Sequence, residues 1–157
     1  MNKAKIAKQK SKKTVRPGPA FLLRRARQAL RYAYAPYSGF YVGAAVLNKK
    51  GRVYPGSNIE NASYPLCLCA ERVALAHAYM SDPKSPILAI AVLCRNPKIM
   101  LAEPGFPCGA CRQVISEFED KQKAPIQIIV GTEEGKIKVF ESIKLLLPFS
   151  FNSEFLK

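Results

Sequence analysis

Cys69-Ala70-Glu71-Arg72 and, well downstream, Pro107-Cys108-Gly109-Ala110-Cys111-Arg112 are the stretches on which the reading of this chain turns. A Cys-x-x-Cys pair at a tight turn entering a helix brings two sulfurs to one side, within reach of a single metal ion. Cys69 supplies a third thiol. Three protein ligands leave the fourth tetrahedral position open, as in a catalytic rather than a closed structural zinc site. Glu71, two residues past Cys69, matches a known pattern in which a carboxylate stands near the open position without binding the metal, free to shuttle protons. Alone, the Cys108 and Cys111 pair would also suit a redox couple, a structural zinc knuckle or buried thiols. The upstream Cys-x-Glu and the proline before the pair tip the reading towards catalysis.

Both segments fall where helices are expected to start. The unpaired N–H groups and positive dipole end of a helix N-terminus depress thiol pKa values and favour the thiolates that zinc needs. Three thiolates on one Zn2+ leave a net charge of about −1, which opposes ionising a bound water. Arg72, three residues beyond Cys69 on the same helix face, is the expected donor that offsets this charge from behind the ligands. Arg112, directly after Cys111, is the other candidate, and an ion-paired surface arginine is the plainer alternative for both.

Outward from these segments the chain alternates helices and strands. Pro19 suits a first helical turn, and Leu22, Leu23, Ala26, Leu30 and Ala33 recur at helical spacing, predicting a helix to about Tyr34 that Pro36 stops. Tyr41 to Leu47 reads as a strand, Lys49-Lys50-Gly51 as a hairpin turn and Arg52 to Tyr54 as the returning strand. Residues 58–68 are irregular and polar. A second helix begins at Cys69, with Ala70, Val73, Ala74, His77 and Ala78 on its inner face and His77 packed in the core. Ile87 to Cys94 is a continuous apolar run, hence a central strand buried on both faces. A loop over 95–106 precedes a third helix over Gly109 to Phe118. Pro125 to Val130 and Ile137 to Phe140 read as strands around a turn at Glu133-Glu134-Gly135. One or two helical turns follow over Ser142 to Leu147. This order predicts a layered α/β sheet.

With 157 residues and an apolar fraction of 48%, the chain fits one domain with a sizeable core. Its apolar runs are too short to cross a bilayer, and no secretory h-region opens it. Five cysteines, at 67, 69, 94, 108 and 111, are odd in number and bunched, which suits a reduced metal site rather than a disulfide framework. A cytoplasmic location is therefore expected. The net charge of +14 is uneven, for Lys3, Lys5, Lys8, Lys10, Lys12, Lys13 and Arg16 crowd the first residues with no acid among them. Residues 1–17 are expected to be a basic disordered arm that grazes nucleic acid weakly and non-specifically, if at all, and 18–157 the folded domain. No aromatic residue interleaves these lysines, which tells against a single-strand-binding arm.

At its cysteine motifs the chain resembles the cytidine deaminase family, specifically the small homotetrameric type whose zinc is held by three cysteines. The likeness runs over about residues 20–152. It is carried by Ala35-Pro36-Tyr37-Ser38-Gly39-Phe40, Val42-Gly43-Ala44-Ala45, Asn58-Ile59-Glu60-Asn61-Ala62, the two cysteine motifs through Gln113, and Leu146-Leu147-Pro148 followed by Phe151. The resemblance implies a three-layer α-β-α sandwich with a mixed central sheet. It also implies one Zn2+ per subunit on Cys69, Cys108 and Cys111, and hydrolytic deamination of cytidine and deoxycytidine to uridine and deoxyuridine for pyrimidine salvage. Zinc-activated hydroxide would attack C4 while Glu71 carries the proton to N3 and assists departure of ammonia. Asn58 and Glu60 would hold the ribose hydroxyl, Phe40 would line the base pocket and the Ala70 backbone would orient the base. Phe151 would cap a neighbouring subunit's site, and Tyr64 would lie at a subunit contact.

The chain also departs from the family pattern. Tyr41 stands where the family often has Pro, Cys67-Leu68 precede the ligand cysteine, the 95–106 loop is long, and the arm is extra. Cys67 and Cys94 are expected to be buried thiols. The altered loop and arm favour an alternative substrate, a cytosine-nucleoside antibiotic of blasticidin type. Editing of cytosine within nucleic acid is suggested only by charge. A purely structural zinc module would have no use for Glu71.

Overall fold

The computed structural model describes residues 17–157, so the basic arm expected over 1–17 lies, but for Pro17, outside the described residues. Helix α1 (Pro19–Ala29) opens on its proline and buries Leu22, Leu23, Ala26 and Ala29 along one stripe. A 3-10 turn over Leu30–Tyr32 completes it. The helix stops short of the expected Tyr34 because that residue is drawn into a bridge. The Tyr34 N–H donates to the Asn58 carbonyl at 2.9 Å, and its own carbonyl accepts from the Glu60 N–H at 2.8 Å.

Strands β1 (Tyr41–Asn48) and β2 (Val53–Ser57) form the expected hairpin, with β2 running three residues further than its apolar pattern suggests. Gly51 turns with φ of 78°, and the Asn48 carboxamide oxygen accepts from the N–H groups of Lys50 and Arg52 at 3.1 and 2.9 Å. Helix α2 (Ala70–Ser81), strand β3 (Ile87–Arg95), helix α3 (Gly109–Gln122), strand β4 (Gln127–Gly131) and strand β5 (Ile137–Phe140) follow in order. The closing segment forms only a 3-10 turn over Ile143–Leu145, and a second such turn over Ser153–Leu156 was not legible in the sequence.

The five strands lie in the order β2-β1-β3-β4-β5, with β3 and β4 parallel and every other pair antiparallel. The sheet is thus mixed, and both its faces are covered. Ala45, Leu47, Ala89, Ala91, Leu93 and Ile129 face α1. The alternate residues Ala44, Val46, Ile90, Val92, Ile128 and Val130 pack with α2 and α3 on the opposite face. Period-two alternation with both faces apolar is what turns β3 into an unbroken hydrophobic run. The result is the three-layer α-β-α sandwich.

Two glycines set how closely the helices approach. A Cβ on Gly43 would lie 2.1 Å from the Ala26 carbonyl oxygen of α1, and one on Gly56 would lie 2.3 Å from the Ala74 nitrogen of α2. The expected core position of His77 is not observed. The inner stripe of α2 is Ala70, Glu71, Ala74, Leu75 and Ala78, which leaves His77 exposed beside it. Its ring meets Tyr54 edge-on at 5.3 Å, with Nδ1 3.1 Å from the Pro55 carbonyl oxygen. Among the described residues no helix is long and apolar enough to cross a membrane.

Candidate active site

The connection β3–α3–β4 joins parallel strands, so α3 returns along the sheet and its N-terminus sits beyond the C-terminal end of β3. Helix α2 also runs back from that end before entering β3. The two helix N-termini therefore meet over one edge of the sheet, and each begins at a cysteine. Cys69 caps α2 and Cys108 caps α3, both with extended backbone, and Cys111 lies buried in the first turn of α3. The carbonyls of the two capping cysteines accept the first helical hydrogen bonds, from Val73 at 3.2 Å and Arg112 at 2.9 Å.

The sulfurs of Cys69, Cys108 and Cys111 all lie within 4.8 Å of one another, and Cys69 Sγ is 4.0 Å from Cys108 Sγ. A tetrahedron with zinc–sulfur bonds of about 2.3 Å requires sulfurs about 3.8 Å apart. The donor set therefore fits zinc in number, softness and spacing, with the fourth position open. All five cysteines are free of disulfides.

Electrostatics prepares the sulfurs for a cation. The Cys69 thiol is lowered to about 5, first because the Cys111 thiol donates to its thiolate and further by Cys108 and the charge of Arg72. Cys111 is pushed up, chiefly because its proton is held in that hydrogen bond and then by burial. Metal binding would replace the thiol protons that these hydrogen bonds now hold. Arg72 also donates from Nη2 to the Cys67 carbonyl at 2.8 Å, which ties down the strand of chain entering Cys69. Arg112, the other arginine candidate, is directed elsewhere, to the carbonyls of Pro107 and Leu146.

Glu71 is a charged side chain only 5% exposed. Burial raises its pKa first and the Cys69 charge raises it further, while its own backbone N–H, the Cys111 thiol and Arg72 pull the other way. Cys94, at the end of β3, is the neighbour that spacing alone could not place. Its thiol is pushed up to about 12 by burial and then by the charge of Glu71, so it forms part of the apolar wall beside the carboxyl. Cys67, expected to be buried, is only half-buried and accepts the Asn61 N–H at 3.3 Å.

The remaining expected site residues are gathered by one loop system. Asn58 Oδ1 accepts from the Val42 N–H at 2.8 Å, and Asn58 Nδ2 donates to the Phe40 carbonyl at 2.8 Å. Glu60 accepts from the N–H groups of Tyr37 and Ser38 at 3.0 and 3.2 Å and from the Ser38 hydroxyl. The Ser38 hydroxyl is the main cause that lowers the Glu60 pKa. Phe40 is half-buried and packs against the core cluster that contains Ala70 and Cys94. Phe151, by contrast, is 58% exposed at the other end of the chain, stacked on Phe155 with ring centres 5.6 Å apart.

Comparison with known proteins adds independent weight. Residues 19–125 match the family model described as the cytidine and deoxycytidylate deaminase zinc-binding region. The chain is 44% identical over 133 residues to a cytidine deaminase of Halalkalibacterium halodurans, covering 85% of this chain and 93% of that one. It is 38% identical to a cytidine deaminase of Sporosarcina psychrophila over 85% of this chain and 90% of the relative. Its fold superposes on the crystal structure of cytidine deaminase from Burkholderia pseudomallei with a TM-score of 0.71 at 41% identity, covering 83% of this chain and 96% of that one.

Proposed function

The chain belongs to the cytidine deaminase family, and on that premise we propose that it hydrolyses the exocyclic C4–N bond of free cytidine and deoxycytidine, giving the uracil nucleoside and ammonia. The single observation that carries this reading is the buried Glu71 carboxyl in electrostatic contact with Cys69 and Cys111 of three convergent cysteine sulfurs. A structural zinc site would close with a fourth ligand and would gain nothing from a desolvated carboxyl at its mouth.

Cys69, Cys108 and Cys111 would hold the zinc, which when bound supplies the Lewis acidity that makes water nucleophilic near neutral pH. Glu71 would act as the proton shuttle, carrying a proton from the attacking water to N3 of the pyrimidine and then to the leaving amino group. Arg72 offsets the surplus negative charge of the thiolates from behind Cys69. The Ala70 backbone, at the unpaired N-terminal turn of α2, orients the base, and Phe40 lines the base pocket. Asn58 retains one amide N–H and Glu60 about one spare lone pair on Oε1, a donor and an acceptor suited to a ribose hydroxyl. Their bonds to 37–42 fix the loop in advance of binding, so little ordering is left to the substrate.

The enzyme would work as a homotetramer in which Phe151 of one subunit caps a neighbour's site. Exposed Tyr34, Tyr37, Tyr64 and Leu66 near the mouth, with Phe149 and Phe151 at the C-terminus, support such an assembly. Five free thiols suit the reducing cytoplasm, where the reaction would serve pyrimidine salvage.

The test is ammonia release with loss of cytosine absorbance, using zinc-replete protein on cytidine, deoxycytidine, a cytosine-nucleoside antibiotic and single-stranded nucleic acid. Turnover of both free nucleosides is expected. Turnover confined to the antibiotic or to nucleic acid would replace the substrate, and no turnover of any would discard the reaction.

A further inference from the structure

Helix α3 carries two stripes. Cys111 and Ile115 face the sheet, while Arg112, Gln113, Ser116, Glu119 and Asp120 form a polar stripe on another face. Each member of that stripe binds the C-terminal segment. Arg112 Nη1 donates to the Leu146 carbonyl at 2.9 Å, and Gln113 Nε2 donates to the Phe151 carbonyl at 2.7 Å. Ser116 pairs with Ser150 at 3.0 Å, and Asp120 accepts the Ser153 hydroxyl at 2.7 Å. Buried Glu119 accepts from the Ile143 N–H at 3.0 Å and the Ser142 hydroxyl at 2.8 Å, with the Ile126 N–H as a third donor at 2.7 Å. Residues 142–153 are therefore laid along α3 as along a rail.

Arg112 is the member that reaches both ways. Its Nε donates to the Pro107 carbonyl at 2.8 Å, immediately before Cys108, while Nη1 holds Leu146. Fixing the Pro107 carbonyl fixes the peptide plane from which Cys108 leaves, and so restricts where its Cα, and with it the sulfur, can sit. Arg72 makes the matching local bond to Cys67 before Cys69, but Arg112 alone ties its cysteine turn to a segment 34 residues away. A planar fork can bond two carbonyls at once, whereas a lysine ammonium on its flexible stem cannot keep both in register.

We propose that Arg112 is a positioning residue that couples the docked chain at Leu146 to the metal-binding turn at Pro107, so that losing the hold on Leu146 loosens the zinc site. The inference rests on the three cysteines as metal ligands and not on the substrate, so its readouts are zinc release and backbone exchange rather than turnover. Zinc loss to a competing chelator, and amide hydrogen exchange over 107–112 and 143–153, would be followed in the intact assembly for wild type, Arg112→Ala, Arg112→Lys and Gln113→Ala. Arg112→Ala should weaken zinc retention by up to about tenfold, the lower end of the cost of removing a group bonded to a ligand itself, since Arg112 acts one peptide further out. Exchange should rise over both segments. Arg112→Lys, the variant less prone to misfold, should fall between the two. Gln113→Ala should free only the chain around Phe151 and leave zinc retention unchanged. Wild-type zinc retention in both Arg112 variants would overturn the proposal, as would faster zinc loss with no change in exchange over 143–153.

Discussion

A Cβ on Gly56 would lie 2.3 Å from the backbone nitrogen of Ala74, so β2 and α2 touch backbone to backbone directly behind the helix turn that carries Glu71. Nothing flexible stands there to give way, since the next nearest atom is the Ala70 carbonyl oxygen at 2.5 Å. Gly56→Ala must push α2 outward and move Cys69 and Glu71 with it. The expected loss is about 1–3 kcal/mol of stability, as for other overpacked interiors, together with weakened zinc retention. Thermal unfolding and metal analysis on the same preparation check both parts.

The Asn58 side chain replaces a strand partner for Phe40 and Val42. Asn58→Ala leaves a part-buried donor and acceptor unpaired, at a cost of about 1–3 kcal/mol. If the same amide also serves the ribose, KM rises more than the stability change accounts for. Comparing steady-state kinetics with unfolding midpoints separates the two effects.

Glu60 offers a pH test. Its pKa is lowered from the ordinary carboxylate value, chiefly by the Ser38 hydroxyl and then by the N–H groups of Tyr37 and Ser38. A folded pKa below the unfolded one means that the carboxylate stabilises the fold fully above the unfolded pKa and loses that contribution as pH falls through the folded value. The stability gap between wild type and Glu60→Gln should therefore be constant near neutral pH and narrow only in acid. A gap that widens on acidification would contradict the sign.

Phe151→Ala should leave zinc content unchanged. An aromatic contact is worth about 0.5–1.5 kcal/mol, so KM should rise several-fold. If Phe151 caps a neighbouring subunit's site as proposed, the effect should vanish under conditions that dissociate the assembly.

The sequence made the site legible where chemistry restricts residue choice. Three cysteines and one glutamate at these spacings have few other uses, and apolar β3 announces a strand covered on both faces. It was weaker where tertiary contacts decide. The α1 boundary depended on Tyr34 bridging to Ile59, a pairing with no local signature. His77 fits the helical period of α2 within a position of the core stripe, and only the direction of packing on β2 shows it to be outside. The alignment of Cys94 with Glu71 follows from where β3 ends beneath α2, and the rail on α3 from a C-terminal segment with almost no regular structure. Neither has a spacing that a sequence could display.

Glu71 is proposed to carry protons at a zinc centre built from Cys69, Cys108 and Cys111. The most direct test is turnover of cytidine by zinc-loaded Glu71→Gln, with zinc content measured on the same sample. Loss of a general acid–base group costs about 10²–10⁴ in rate, so kcat should fall by at least that range with zinc retained. Turnover near the wild-type rate by a zinc-replete variant would contradict the account.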